Sequence, residues 1–302
     1  MKKELPIIEP PINYQQLFAY PLSIILTDEN KWNWFYNEFI QIYGHLDFDG
    51  NGELRIYNYG NYNEYDPLEI IKMFPDNLKF GGDLIKLFEL YIDNKYYPYF
   101  LCDDYYITTM NIKNHRLHDI LIYGYDTEQK VFLAFAYNGY KMQRFFIPYQ
   151  DFLNAYYSKE IENMSKTTIF YKLKDKNYSI DMEKIKWHLL DYYECVDTLS
   201  RERPFVVRNN FGYVWGLDVY DIIEKLFLRD KVIEFTLVTY MYLLWEHKKN
   251  MVERIKYLRQ HDKLHYSEEI LNEFENVRKN AEIILNLSLK LHVQKFNISQ
   301  SK

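Results

Sequence analysis

The chain has 302 residues, 48% hydrophobic and 26% charged, an ordinary composition for a globular protein of one large or two smaller domains. Its net charge of −6 argues against a broad nucleic-acid interface, because such an interface needs a basic face. Cys102 and Cys195 are too few for a disulfide framework or a metal cage, so we expect a reducing compartment.

Neither a membrane span nor a secretion signal is predicted. The longest apolar run, 235–245, is interrupted by Thr and Tyr and is too short to cross a bilayer. The first residues, MKKELPIIEPP, lack an apolar core of signal-peptide length. We therefore expect a cytoplasmic protein that does not bind membranes.

Short helices and strands alternate at the beginning of the chain. Pro21 suits the first turn of a short helix, and apolar residues at helical spacing predict a second helix over 31–43. In DPLEIIKMF, a cap at Asp66 and a proline at Pro67 predict a third helix. The stretch DLIKLFELYIDN predicts a fourth helix, which ends at Asn94.

A set of strands is predicted between this helix and residue 160. They cover YYPYFLCDDYYI, then a strand that begins at His118 and turns at Gly-Tyr-Asp, then its returning partner, then MQRFFIPY. YQDFLNAYYS follows as a helix. The sequence thus predicts an α/β protein of the α+β type with an antiparallel sheet over residues 1–160.

The remainder, residues 161–302, is predicted to be a helical region. Asp181 is expected to cap a helix that runs through Cys195. Two long amphipathic helices, about 232–260 and 267–291, are expected to pack as an antiparallel pair.

DFDGNGELRIYN resembles the start of a calcium loop. Asp47, Asp49 and Asn51, with Gly52 in sixth place, fit that pattern. The twelfth place holds Asn58 instead of a bidentate Glu, and a strand pattern follows instead of a helix. A glycine-rich hairpin turn is therefore the favoured interpretation.

Two further features have a chemical and a structural interpretation. His115 and His118, with Asp119 beside them, suggest metal ligands, but zinc needs a third and usually a fourth ligand that the sequence does not supply. We therefore predict no metal and no cofactor.

Cys102 lies inside an apolar strand and Cys195 on an amphipathic helix, so both are predicted to be inert core thiols.

HDILIYGYDTEQKVFLAFAY and FFIPYQDFLNAYYS resemble the papain-like fold of bacteriocin-processing peptidases, and most closely the family of the butirosin biosynthesis protein H N-terminal domain. The helical remainder, with WEHKKNMVERIKYL and AEIILNLSLKL, fits the longer members. The resemblance implies work on carrier-bound acyl or peptidyl chains in bacterial natural-product biosynthesis, such as that of non-ribosomal peptides. An acyl or peptidyl carrier protein and a small-molecule amine acceptor are the implied partners.

The resemblance also implies a catalytic set: a Cys at the start of the first core helix, a His on a strand and an Asp on the next strand. His118 matches the base. The predicted first helix, FAYPLSIILTDEN, has no Cys, and Ser23 is a substitute nucleophile in it. Ala136 stands at the expected Asp place, and Asn138, two residues later, is the substitute for orienting the imidazole.

Two hypotheses follow. In one, the chain is an acyltransferase or hydrolase in which Ser23 attacks, His118 is the base and Asn138 orients it. In the other, which the missing Cys and Asp favour, the chain is a pseudoenzyme that keeps the cleft for binding. The long C-terminal helices are also able to support a homodimer.

Overall fold

A computed structural model describes residues 1–46, 52–57, 65–74, 83–138, 141–161, 167–202, 212–228 and 235–300. The chain forms two compact units. The first comprises Met1–Pro10, Gln16–Glu29 and Tyr62–Lys176, and the second comprises Pro11–Gln15, Asn30–Asn61 and Asn177–Lys302. This division differs from a boundary after residue 160, because a strand at 168–173 pairs within the first unit and residues 30–61 group with the second.

The described helices and strands are numbered in chain order. The helices are α1 (Gln16–Ile25), α2 (Lys31–Asn37), α3 (Leu84–Asp93), α4 (Tyr149–Tyr156), α5 (Met182–Glu194), α6 (Thr198–Glu202), α7 (Val219–Leu228), α8 (Phe235–Gln260) and α9 (Glu268–Gln300). The strands are β1 (Lys2–Glu4), β2 (Ile42–Leu46), β3 (Gly52–Ile56), β4 (Leu68–Met73), β5 (Tyr97–Asp103), β6 (Leu117–Asp126), β7 (Val131–Asn138), β8 (Lys141–Pro148), β9 (Thr168–Leu173) and β10 (Tyr213–Trp215).

The first unit is built on an antiparallel sheet. Within the described residues it has seven strands, in the order β4-β9-β5-β6-β7-β8, with β1 also paired to β6. An aromatic core lies beneath it, where the ring of Phe88 on α3 lies 4.9 Å from Phe152 of α4 and 5.5 Å from Phe100 of β5. The α+β class and the antiparallel sheet predicted from the sequence are confirmed.

The prediction of a helix in DPLEIIKMF is wrong. Residues 68–73 form β4, which pairs with β9 from Leu68↔Leu173 to Met73↔Thr168. The cap and proline signals favour a helix locally, but Ile70 and Ile71 are β-branched and the neighbouring strand supplies a full ladder of hydrogen bonds. Tertiary pairing therefore decides the conformation of this segment.

The expected turn at Gly-Tyr-Asp is also wrong, because β6 continues through these residues to Asp126. β1 pairs alongside, with Glu4 opposite Gly124. A Cβ on Gly124 would lie 2.4 Å from the Lys3 carbonyl oxygen. The glycine is therefore needed for the close approach of β1, and not for a turn.

The second unit combines the small sheet β10-β2-β3 with helices. The predicted helix over 31–43 is too long, since α2 ends at Asn37 and the chain enters β2 at Ile42. As predicted, Asp181 caps α5, and it does so by accepting from the Lys184 backbone N–H at 2.9 Å. The helix ends at Glu194, one residue before the predicted end at Cys195.

The two long C-terminal helices pack against each other. The ion pairs Lys256–Glu275 at 2.9 Å and Arg259–Glu268 at 2.5 Å join the end of α8 to the beginning of α9, so the pair is antiparallel, as predicted. A buried apolar cluster of the second unit includes Ile40, Ile185, Met251 and Leu258.

Candidate functional site

The first core helix begins earlier than the sequence predicts. α1 starts at Gln16, so Pro21 lies inside the helix and not in its first turn. A proline lacks the N–H that would bond the carbonyl four residues back, here that of Leu17. The Tyr65 hydroxyl donates to that carbonyl oxygen at 2.6 Å, which satisfies the group that Pro21 leaves open.

Gln16, at the start of α1, meets the imidazole of His118. The side-chain Nε2 of Gln16 lies 2.8 Å from Nε2 of His118. On the other side of the ring, Nδ1 lies 3.0 Å from the backbone carbonyl oxygen of Asp119. A carbonyl only accepts, so Nδ1 carries the hydrogen, and Nε2 accepts from the Gln16 amide. Both ring nitrogens of His118 are therefore engaged.

The backbone carbonyl of Asp119 accepts two hydrogen bonds in the site. The second comes from the Tyr20 hydroxyl at 2.6 Å, so both lone pairs of the carbonyl oxygen are used. Tyr20 is fully buried, and burial raises the pKa of its hydroxyl well above the ordinary value, so it acts as a neutral donor. Its ring lies 5.2 Å from Tyr99 and 6.5 Å from Tyr137.

The imidazole of His118 and the carboxyl group of Asp119 both lie next to the cluster formed by Tyr20, Tyr99 and Tyr137. The His118 ring lies 6.1 Å from Tyr137. Burial raises the pKa of the Asp119 carboxyl, while the charge of His118 and a hydrogen bond from Tyr99 act in the opposite direction. A half-buried carboxyl that holds its proton more tightly than usual is a feature of functional sites as well as of buried polar networks.

The three residues predicted from the sequence do not join into one hydrogen-bonded set in the part of the chain that the structure describes. Ser23 is fully buried in the last turn of α1, and its hydroxyl donates to the Tyr20 carbonyl at 2.7 Å. Asn138 ends β7, opposite Lys141 of β8. The hydrogen-bond partner of His118 Nδ1 is the Asp119 carbonyl, which takes the place expected for a side chain from β7.

The other predicted histidine, His115, belongs to a separate arrangement. Its Nδ1 lies 2.6 Å from Oδ2 of the buried Asp103, which also accepts from the Ser158 hydroxyl at 2.8 Å. Burial would raise the pKa of Asp103, but these hydrogen bonds and two from backbone N–H groups outweigh it and lower the pKa. His115 and His118 thus have different partners, and among the described residues no group of three or more His, Cys, Asp or Glu side chains is arranged to hold a metal ion.

Cys102 lies on β5 directly opposite His118 of β6 in the strand register. The side chain is fully buried, and burial, followed by the charge of Asp104, raises the pKa of the thiol well above its usual value. A thiol of this kind is a poor nucleophile at neutral pH. Cys195 follows α5 and is half-buried, with a pKa that burial also raises.

Gln16 and Asp103 are the two site residues that the sequence did not reveal. The predicted first helix begins after Gln16, although QQ just ahead of an apolar run is compatible with a helix start. The sequence marks Asp103 only as part of a strand. The candidate ligand positions of the calcium-loop pattern, Asp47, Asp49 and Asn51, lie outside the described residues, as does Asn58.

No protein-family model matches the chain, and no curated protein matches it. None of the helices in the described ranges is both long enough and apolar enough to cross a bilayer.

Proposed function

We propose that this chain is a papain-like pseudoenzyme of the cytoplasm that binds carrier-linked acyl or peptidyl chains in bacterial natural-product biosynthesis without cleaving or transferring them. The resemblance of HDILIYGYDTEQKVFLAFAY and FFIPYQDFLNAYYS to that family supplies the substrate class and the partners, an acyl or peptidyl carrier protein and a small-molecule amine. The geometry at His118 supplies the argument against catalysis.

The argument against catalysis rests on the 2.8 Å contact between the Gln16 amide and Nε2 of His118. In the family that the chain resembles, the start of the first core helix holds the nucleophilic Cys. A carboxamide at that place is a weak nucleophile, and it donates a hydrogen to the ring nitrogen that a base needs for proton abstraction. The ring nitrogen that a base would need is thereby occupied by the Gln16 amide.

The serine alternative has less support. Covalent catalysis by serine needs its hydroxyl within hydrogen-bond reach of the base. The Ser23 hydroxyl is buried and donates to the carbonyl three residues before it in the same helix. This is the usual arrangement of a helical serine that satisfies its own hydroxyl group.

Intact-mass spectrometry after incubation with acylated carrier proteins tests the proposal. We expect the chain to keep its mass and the carrier to keep its acyl group, while titration of the acylated carrier gives saturable binding that the unacylated carrier matches only weakly. An acyl adduct that disappears in Ser23→Ala would overturn the pseudoenzyme assignment. Absence of binding to any acylated carrier would overturn the substrate class.

Gln16→Cys tests the correspondence with a papain-like site directly. A thiol there would lie beside His118 at a helix start, where an imidazole and the helix dipole both favour the thiolate. We expect iodoacetamide to alkylate this variant much faster than the double variant Gln16→Cys/His118→Ala at neutral pH. Equal rates for the two would show that His118 does not activate this position.

A further inference from the structure

α9 carries a second apolar stripe besides the face that packs on α8. Leu285 and Ser288 are buried, and Phe274 packs against a cluster that includes Met251 and Leu258 of α8. Ile270, Val277, Ile284 and Leu291 recur at intervals of seven, and each is at least 42% exposed. Residues seven apart lie on one face of a helix, so these four form a continuous exposed line.

The positions between them complete a heptad pattern. Taking that line as position a, position d is occupied by Glu273, Asn280 and Leu287, of which Leu287 is 53% exposed. Ile283, in the neighbouring g position, is 56% exposed. Glu273 and Asn280 are the two polar residues among the seven a and d positions from 270 to 291. Three heptads of this pattern exceed what scattered surface apolar residues require.

The charges along this stripe favour a second copy of the same helix in the opposite direction. Glu273 lies near one end of the stripe and Lys290 near the other, and both are exposed. The point midway between them falls between Asn280 and Ile283. A two-fold axis perpendicular to the helix at that point places Glu273 of each copy beside Lys290 of its partner. A parallel pair would instead bring Glu273, at position d, against Glu273 of the other copy, which is unfavourable.

We propose that this chain is a homodimer in which the stripe on α9 (Ile270, Val277, Ile284, Leu287 and Leu291) packs antiparallel on the same stripe of a second copy. The interface is isologous, as in most homodimers, because each copy uses the same surface. In this register Val277 of one copy faces Leu287 of the other, and Ile283 of both copies lies beside the axis. This proposal is independent of the function proposed for His118, which lies in the other unit.

Sedimentation velocity of the full-length chain over a concentration series tests the dimer. We expect the dimer for the unaltered chain, and at least a hundredfold weaker association for Ile284→Lys/Leu287→Lys, because two apolar side chains at the centre are replaced by like charges. The matched control is Asn272→Lys/Asn286→Lys, which adds the same charge at exposed positions of α9 outside the stripe. It should dimerise like the unaltered chain. A monomer at every concentration, or equal weakening by both double variants, would overturn the proposal.

Disulfide trapping tests the direction of the helices. In a Cys195→Ser background, Glu273→Cys and Lys290→Cys are prepared as separate proteins and oxidised with copper phenanthroline, alone and mixed. We expect a covalent dimer from the mixture and little from either protein alone. Efficient trapping of Glu273→Cys with itself would overturn the antiparallel arrangement, and an unchanged circular dichroism spectrum of each variant shows that its fold is retained.

Discussion

At the scale of single residues, the buried carboxylate of Asp103 connects two parts of the chain. It accepts hydrogen bonds from His115 and two backbone N–H groups within 105–116, and from the Ser158 hydroxyl. Asp103→Asn removes the charge and turns one acceptor into a donor. We expect a loss of about 2 kcal/mol in the free energy of unfolding at neutral pH, measured by urea denaturation.

The pH dependence of this effect has a definite sign. The folded pKa of Asp103 is lower than the unfolded one, so its contribution is complete above the unfolded pKa of about 3.9 and is lost as the pH falls through the folded value. Asp103→Asn should therefore approach the stability of the unaltered chain in acid. A difference that stays constant from pH 7 to pH 2 would show that the charge contributes nothing. His115→Ala, which removes one partner and keeps the carboxylate, is the matched control.

At the scale of secondary-structure elements, one arginine joins α8 to the end of α2. Arg254 is buried and donates to the carbonyls of Tyr36 and Glu38 at 2.9 Å and of Phe39 at 3.2 Å. These carbonyls lie at the C-terminal end of α2 or just after it, where the acceptors have no intrahelical donors. Burial lowers the pKa of the Arg254 guanidinium to about 10, so it stays charged at neutral pH.

Arg254→Met should cost about 3 kcal/mol of unfolding free energy, because three buried acceptors lose their donors while the apolar volume is nearly kept. Thermal unfolding followed by circular dichroism provides the measurement. Arg259→Met, on the exposed side of the same helix, removes an equal charge and should shift the midpoint little. Similar losses for the two variants would contradict the structural role of Arg254.

A second prediction at this scale concerns the contact of β1 with β6. In Gly124→Ala, the new methyl group would lie 2.4 Å from the Lys3 carbonyl oxygen and 2.8 Å from a methyl group of Leu133. We expect destabilisation of about 1–3 kcal/mol and faster hydrogen exchange at the β1–β6 ladder. Unchanged exchange at the amides of residues 2–4 would contradict this explanation of the glycine.

At the scale of the whole molecule, the free energy of unfolding should depend on pH through one buried carboxyl group. Glu246 of α8 is buried and accepts from the backbone N–H groups of Asn13 at 2.8 Å and Tyr14 at 3.0 Å. Burial raises the pKa of its carboxyl to about 8, although these two donors oppose the shift. A group whose folded pKa exceeds its unfolded value of 4.5 binds its proton more tightly when folded.

The free energy of unfolding should accordingly fall as the pH rises from about 5 to about 8, by on the order of 1.4 kcal/mol for each unit of pH at most. Glu246→Gln carries no ionisable group and should remove this slope, whatever its effect on absolute stability. Chemical denaturation at several pH values measures both slopes. Parallel slopes for the variant and the unaltered chain would show that Glu246 is ionised throughout.

The sequence by itself determined those elements whose signals are local. Asp83 and Asp181 cap helices α3 and α5 through hydrogen bonds that reach only two or three residues, and alternating apolar residues mark β5 to β8. Such signals act within one turn or one strand, so a reader of the sequence finds them without knowing the fold. A local signal also marks His118, which is a polar residue at the start of an apolar strand.

Only the tertiary structure decided which residues meet. The helical signals around Asp66 and Pro67 are overridden because β9, about a hundred residues later, supplies the partner for β4. The contact of Gln16 with His118 spans 102 positions, and no local pattern marks a glutamine as the partner of an imidazole. Such contacts depend on packing and hydrogen-bond satisfaction across the whole unit, which periodicity and capping do not encode.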